Sequence, residues 1–178
     1  ELVDINDLRT SKQTINFTKM SATGNDFIII DTREQYINNP GGLAVRLCNR
    51  RDGIGADSLV LVGKSDKADA SMRFFNQDGS EGQMAGNATR CVAKYLYDNN
   101  IGGIADRHNK NETTADSKVK TRAGIKKLKI YKLAGKTNTV SVNMGYPEFD
   151  PAKIPTTLKA DQVKLFDFKA IVNRKLPV

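Results

Sequence analysis

The 178-residue sequence predicts an α+β fold in which a curved sheet covers one capped helix. Three observations predict it. Short apolar runs indicate strands, and polar loops that carry Asn or Gly lie beside them. The middle of the chain carries a stripe of helical period, which predicts the helix. That stripe comprises Ala88, Cys91, Val92, Tyr95 and Leu96.

The stretch 74–97, which leads into this helix, organises the other predictions. Its pattern predicts a strand, a polar turn over 76–79, a short loop and a helix that opens at Gly86-Asn87, with Asn87 as its N-cap. A helix start preceded by small residues leaves N–H donors free at the positive end of the helix dipole. Such a position suits a carboxylate or a phosphate. The residue beside it is Ala85, which carries no acid or base.

The remaining elements follow from local patterns along the chain. Residues 99–116 read as a loop, and residues 164–172 contain one strand-like piece. A short helix is predicted through Leu43 and Cys48. Gly24-Asn25-Asp26 taken alone would be a hairpin turn. Strands are predicted around 15–19, 27–30, 59–62, 72–75, 127–131 and 140–144, the last two joined by a turn at Gly135.

Three polar loops beside buried strands are the candidate binding elements. The loop 50–58 has two glycines, Gly53 and Gly55, but it lacks the third glycine and the following helix of a dinucleotide site. The fold could bring Asn25, Ser58 and Asn76 together near the helix start. Convergent amides and backbone N–H groups suit a zwitterionic or carboxylate-bearing ligand.

The formal charge of +8 has a local source. Ten Lys and Arg lie between Arg107 and Lys136, against two acids. A solvated basic sheet face is favoured over a nucleic-acid footprint, because the segment has one aromatic residue, Tyr131, and no stacking pattern. His108, the single histidine, is predicted to be a surface residue without a metal-ligating partner.

Composition indicates an ordinary globular protein of the cytoplasm. The sequence has no run of about 18 apolar residues and no secretory signal at its start, so neither a membrane span nor export is expected. Cys48 and Cys91 both fall within apolar helical patterns. This placement suits buried thiols in a reducing compartment.

Several motifs in order resemble the diaminopimelate epimerase family. Residues 17–20 with 24–27 resemble its opening motif, and residues 52–57 resemble its second. Residues 72–81, followed by Gly86-Asn87 and Arg90-Cys91, are similar to its first active-site motif. Later landmarks match at 121–124 and 144–149. The resemblance runs from about Phe17 to about Pro155, and the combination of motifs is specific.

The resemblance implies an isomerase that interconverts LL- and meso-diaminopimelate, in lysine and peptidoglycan precursor biosynthesis, without pyridoxal phosphate or metal. Two cysteines would face the α-carbon, one as thiolate base and one as thiol acid. The fold would be one of two pseudo-symmetric halves, each a curved, mostly antiparallel sheet around a central helix. The substrate-binding residues implied are Asn25, Ser58, Asn76, Gly86 and Asn87.

The family's first catalytic cysteine falls on Ala85. An engineered change, a natural one-cysteine variant and a binding-only homologue would each account for the alanine. Cys91 and Cys48 are disfavoured as substitutes because they lie in apolar stripes. This chain is therefore expected to be inactive, also because the second half of the family fold would lie beyond Val178. A related amino-acid racemase or epimerase is the neighbouring alternative.

The predicted organisation has three parts: a flexible lead-in over 1–12, an epimerase-like domain over 13–145, and a linker with the first part of a second domain over 146–178. The expected partner is a small amino-acid substrate. Neither nucleic acid nor a membrane is expected as a partner, and the possible oligomer is a homodimer.

Overall fold

The computed structural model describes residues 14–108, 112–148, 150, 153, 162–165 and 168–171. The chain divides into two compact units, residues 1–143 and 144–178. The predicted lead-in over 1–12 lies outside the described residues. Among the described residues, no helix is both long enough and apolar enough to cross a membrane.

The first unit is built on one eight-stranded sheet with the strand order β1-β2-β3-β4-β6-β7-β8, in which β5 pairs with β4. Parallel pairing joins β2 to β3 and β4 to β6, and the other pairings are antiparallel. The predicted α+β class with a mostly antiparallel sheet is confirmed. The strands are β1 Thr18–Ala22, β2 Asn25–Asp31, β3 Ser58–Gly63, β4 Ala70–Asn76, β5 Glu81–Gly82, β6 Thr114–Thr121, β7 Gly124–Leu133 and β8 Lys136–Val142.

The helices are α1 Pro40–Cys48, α2 Gly86–Asp98 and α3 Ile104–Arg107, with a 3₁₀ turn over Ile101–Gly103. The sequence pattern had predicted a loop over 99–116. This prediction was wrong, because the segment contains the 3₁₀ turn, α3 and the start of β6. The 3₁₀ turn and α3 form there because Ile101 and Ile104 are buried in the core and anchor the chain. The two residues between these anchors, Gly102 and Gly103, had indicated a loop.

The centre of the sheet is buried on both faces, which explains the uninterrupted apolar runs of β2 and β3. One face packs against α2, and the opposite face packs against α1. Alternate residues therefore enter different cores. Phe27, Ile29, Val60, Val62, Met72 and Phe74 lie with α2, whereas Ile28, Ile30, Leu59, Leu61 and Phe75 lie with α1.

The α2 core continues onto the hairpin formed by β7 and β8. Leu128 and Ile130 are buried on its inner face, and Val140 packs against the same cluster. The predicted turn is present, with both Ala134 and Gly135 at positive φ. One helix therefore contacts both ends of a curved sheet, as the sequence analysis predicted.

The second unit contains two short strands, β9 Gln162–Leu165 and β10 Phe168–Ile171, which pair antiparallel. The prediction of one strand-like piece over 164–172 was wrong, because two strands lie there. Two paired strands satisfy each other's backbone N–H and C=O groups, which one isolated strand would leave unpaired.

Candidate functional site

The predicted binding residues Asn25, Ser58 and Asn76 lie at one edge of the sheet. Asn25 begins β2, Ser58 begins β3 and Asn76 ends β4. The register pairs Phe27 with Ser58 in parallel and Ser58 with Asn76 antiparallel, so the three positions follow one another across neighbouring strands. Local polar patterns had placed them in loops, and the strand register brings them together.

The start of α2 lies beside this edge. Ala85 is the N-cap residue, with an extended backbone at φ −132° and ψ 118°, and no side chain caps the helix there. Its carbonyl oxygen accepts hydrogen bonds from the backbone N–H of Thr89 at 2.9 Å and from the Thr89 hydroxyl at 2.7 Å. Backbone and Thr89 therefore define the helix start, and the side chain at position 85 is not needed for it.

Asn87 is not the N-cap, contrary to the sequence prediction. It is the second helical residue, and its side chain reaches across to the β1–β2 hairpin. The Asn87 Nδ2 donates to Asn25 Oδ1 at 2.7 Å. The amide of Asn87 thus makes a long-range contact in place of a local cap, which sequence spacing cannot distinguish.

Ser58 and Asn76 lie less directly against the helix start. Ser58 is 7% exposed, and the Asn76 Nδ2 donates to the Ser80 hydroxyl at 2.9 Å within its own turn. Of the predicted binding side chains, Asn25 and Asn87 touch each other. Ser58 and Asn76 are their neighbours through the sheet register.

Four charged residues that were not predicted as site residues surround Asn25. Arg50 forms ion pairs with Asp26 at 2.6 Å and with Asp57 at 2.9 Å, and Lys19 lies 3.3 Å from Asp26. The Asn25 Nδ2 donates to Asp57 Oδ2 at 2.9 Å. The sequence did carry a signal for three of them. Asp26 and Asp57 lie in two loops that were predicted to converge, and Arg50 lies between them in the sequence.

This network lowers the pKa of both carboxyl groups. Hydrogen bonding from Arg50 is the largest cause for Asp26, whose pKa falls well below its ordinary value. Hydrogen bonding from Asn25 is the largest cause for Asp57, whose pKa is also lowered. The hydrogen bonds that Arg50 makes to the two carboxylates raise the pKa of its guanidinium. The three groups are therefore held in their charged forms.

Acid should weaken the fold through these carboxyls. Because folding lowers their pKa, they stabilise the native chain above the unfolded pKa near 3.8. That contribution starts to fall as the pH approaches this value and is lost completely only below the folded pKa values. We expect the urea midpoint to fall between pH 5 and pH 3, and to fall less in Asp26→Asn. Asp52→Asn, which alters an exposed acid of the same region, is the control. Equal slopes in Asp26→Asn and the original chain would contradict the assignment.

The glycine-bearing loop 49–56 ends α1. The backbone N–H groups of Gly53, Gly55 and Ala56 donate to the carbonyls of Asn49, Leu47 and Cys48 at 3.0, 2.9 and 3.1 Å. These bonds satisfy carbonyls that the helix end would leave unpaired. The two glycines thus serve a helix terminus, in agreement with the rejection of a dinucleotide loop.

The two cysteines are buried, as predicted, and neither is poised as a base. Cys48 is 0% exposed and Cys91 is 3% exposed. Burial raises the pKa of each thiol to about 11. Both groups therefore remain protonated near neutral pH, and Cys91 has the properties of a core residue.

A thiol reagent should distinguish these buried groups from an active-site cysteine. We expect Ellman's reagent at pH 8 to modify the folded chain at least roughly 100-fold more slowly than the urea-unfolded chain, because access requires opening of the core. Ser141→Cys, at an exposed position of β8, is the control and should react at once. Rapid modification of the original chain would show that one thiol is accessible.

His108 differs from the sequence prediction. It is half-buried, and its Nδ1 lies 3.6 Å from Glu112, four residues along the chain. The surrounding strand also contributes, because the backbone N–H of Asp116 lies 3.2 Å from Nε2. In the part of the chain that the structure describes, no cluster of three or more His, Cys, Asp or Glu could hold a metal ion.

Comparison with known proteins decides the family. Residues 17–149 match the family model described as diaminopimelate epimerase. The chain belongs to the diaminopimelate epimerase family. It is 45% identical over 141 residues to the diaminopimelate epimerase of Desulfovibrio desulfuricans, covering 79% of this chain and 46% of that protein. It is 42% identical over 162 residues to that of Agathobacter rectalis, covering 91% of this chain and 53% of that protein. This member thus spans about half the length of the curated relatives it matches.

Solved structures support the same fold at low sequence identity. A methylitaconate-delta-isomerase aligns with a TM-score of 0.55 at 15% identity, covering 69% of this chain and 36% of the other. A probable proline racemase from Agrobacterium radiobacter K84 aligns with a TM-score of 0.54 at 16% identity, covering 72% of this chain and 41% of the other. These two likenesses show a shared fold.

Proposed function

We propose that this chain forms the carboxylate-binding half of a diaminopimelate epimerase, which interconverts LL- and meso-diaminopimelate in lysine and peptidoglycan precursor biosynthesis. The observation that carries the proposal is the uncapped start of α2, which lies against Asn25 through the Asn87 side chain. The first backbone N–H groups of a helix have no helical acceptor and lie at the positive dipole end. They can therefore bind the carboxylate of an amino acid.

The chemistry asks for strong electrostatic help at this carboxylate. An α-proton of an amino acid is very weakly acidic, and its removal places negative charge on the α-carbon and the carboxylate. Donors at Gly86 and Asn87 would stabilise that charge as it develops. Asn25, Ser58 and Asn76 would contact the rest of the substrate from the sheet edge. A thiolate on one side would take the proton and a thiol on the other would supply one, without pyridoxal phosphate or metal.

Ala85 separates binding from proton transfer in this proposal. The helix start is defined by the Ala85 carbonyl and Thr89, so exchange between alanine and cysteine leaves the donors in place. The alanine removes only the acid/base. We therefore propose that the chain as it stands binds the substrate but does not epimerise it.

Genetic complementation tests the function. The complete open reading frame that contains this chain, with alanine or with cysteine at position 85, would be placed in a strain that lacks diaminopimelate epimerase. Growth with the cysteine version is the expected result, and growth with alanine would indicate that another group supplies the proton on this side. Failure of both versions, with the protein detected in the cells, would reject the function.

A binding-only homologue is the second candidate, and Ala85 is the observation that favours it. Such a protein would bind diaminopimelate with alanine at position 85, and the cysteine version would bind it equally without turnover. A related amino-acid racemase would instead prefer a substrate with a different side chain. Calorimetric titration with diaminopimelate and with proline, side by side, distinguishes these hypotheses by the ligand that the chain prefers.

We propose that the partner is this small molecule and not nucleic acid. On β6, exposed Lys118 and Lys120 alternate with buried Ser117 and Val119, which is the pattern of a sheet with one solvated face. Lys120 lies 3.7 Å from Asp66, so part of this charge is locally paired. The homodimer and the cytoplasmic location stay predictions.

A further inference from the structure

A line of hydrogen bonds runs from a charged pair to the start of α2. Arg50 Nη2 donates to Asp57 Oδ1 at 2.9 Å, and Asn25 Nδ2 donates to Asp57 Oδ2 at 2.9 Å. Asn87 Nδ2 then donates to Asn25 Oδ1 at 2.7 Å. The start of β2, the loop before β3 and the start of α2, which are distant in the sequence, thus meet at one amide, that of Asn25.

The chemistry of these groups gives the line a direction. An ionised carboxylate only accepts hydrogen bonds, whereas an Asn side chain can present either its oxygen or its NH₂ group. Asp57 therefore requires the NH₂ group of Asn25, which turns the Asn25 oxygen towards Asn87. Asn87 must in turn use its NH₂ group on that oxygen. In this arrangement the oxygen of Asn87, the second residue of α2, is the end of the amide that is left as an acceptor.

Asp57 is itself held in place from several sides. Besides Arg50 and Asn25, the backbone N–H of Asp26 donates to Asp57 Oδ2 at 3.1 Å. The backbone N–H of Asp57 donates to the Asp26 carbonyl at 2.9 Å. Lys19, on β1, pairs with the Asp26 carboxylate, and Asp26 is the residue whose backbone holds Asp57. Both oxygens of Asp57 are engaged, so its orientation is defined before any ligand arrives.

We propose that Asp57 is a positioning residue that sets the amide orientation of Asn25 and, through it, of Asn87, so that the start of α2 presents backbone donors together with a side-chain acceptor. This deepens the proposed function on which it rests. The backbone donors suit the carboxylate of an amino acid, and the acceptor suits its ammonium group. Asp57 would thereby give the site its preference for a zwitterion, without touching the ligand.

If Asp57 had a purely structural role, it would hold its loop against β2 without affecting the orientation of the Asn25 and Asn87 side-chain amides. Side-chain amide NMR separates the two roles. In the original chain, the Nδ2 protons of Asn25 and Asn87 should exchange with solvent about tenfold more slowly than those of an exposed asparagine such as Asn138. In Asn25→Ala, Asp57 and Arg50 remain, and the slow exchange at Asn87 should be lost.

Asp57→Asn should also abolish the slow exchange at Asn87 while the chain remains folded, because its side chain no longer dictates which end of the Asn25 amide faces it. Asp66→Asn, a change at an exposed acid elsewhere, is the control and should alter neither amide. In the double variant of Asn25 and Asp57, the second change should add nothing at Asn87. Slow exchange at Asn87 that persists in Asn25→Ala would overturn the proposal, even if Asp57→Asn does not fold.

Ligand selectivity is a second measurement, and a purely structural role of Asp57 would leave it unchanged. Diaminopimelate and pimelate share both carboxylates, and only the first carries ammonium groups. The preference of the chain for diaminopimelate should fall about tenfold in Asp57→Asn and be unchanged in Asp66→Asn. An unchanged preference in a folded Asp57→Asn chain would overturn the positioning role. If the original chain binds neither compound, the proposed function fails, and the amide measurements still decide the orientation.

Discussion

No solvent deuterium is expected at the α-carbon of LL-diaminopimelate after incubation with this chain in D₂O. Exchange of that hydrogen needs a group that can take and return a proton. Position 85, where we propose that the family's first catalytic cysteine falls, is alanine in this chain. Positioned proton transfer contributes on the order of 10²–10⁴-fold to a rate. The measurement is the mass shift of the recovered amino acid against a blank without protein.

The protein encoded by the open reading frame that contains this chain provides the matched comparison for this prediction. With cysteine at position 85 it should incorporate deuterium on the order of 10²–10⁴-fold faster than with alanine. Ala85→Ser, which restores a polar side chain without a thiol, should remain as slow as alanine. Incorporation above the blank by the chain with Ala85 would show that a different group performs the proton transfer.

Gly53→Ala is expected to cause a large loss of stability. Among the glycines without a positive φ whose added methyl group would collide with backbone atoms, Gly53 has the shortest distance. A methyl group there would lie 2.3 Å from the Arg46 carbonyl oxygen and 2.8 Å from those of Leu47 and Asn49. These atoms belong to the end of α1, which the loop caps, so they cannot move aside as a flexible side chain could. Overpacking of this kind typically costs about 1–3 kcal/mol, and we expect the upper end of that range in urea unfolding.

Gly135→Ala is the control for this collision. Gly135 has φ +76° and nothing within 4 Å of an added methyl group, so alanine there meets only the cost of a left-handed backbone, about 1–2 kcal/mol. A larger loss for Gly53→Ala isolates the contact with α1. Equal losses in the two variants would show that the loop can move away from the helix end without penalty.

The absence of an acid/base at position 85 has a structural counterpart in the way α2 begins. In many helices the N-cap side chain satisfies a backbone donor, so a change of that residue alters the helix start. Here the N-cap position is filled by alanine, and Thr89 braces the Ala85 carbonyl from the first turn. A member of the family can therefore exchange this residue at little cost to folding. We propose that the consequence falls on proton transfer.

The sequence by itself determined the elements whose signals are local. The apolar runs of β2 and β3 and the stripe on α2 predict the central strands and the helix, because burial selects side chains at a period that the backbone geometry sets. Gly135 predicted the hairpin turn for a different local reason, because glycine accepts the positive φ that such turns require. The motifs around Asn25, Asp57 and Asn76 were sufficient to indicate the family before any coordinates.

Tertiary structure alone decided which polar groups meet. Asn87 satisfied every local criterion of an N-cap, yet its amide bonds to Asn25, 62 residues away. Asp57 was visible only as part of a motif until the strand register placed it against Asn25. A hydrogen bond depends on distance and direction between atoms, and sequence spacing specifies these only within one turn or one strand. Contacts between β2, β3 and α2 therefore set the orientation of the proposed binding side chains Asn25 and Asn87, which the sequence had predicted. They also added Asp57, which the sequence had not predicted as a site residue.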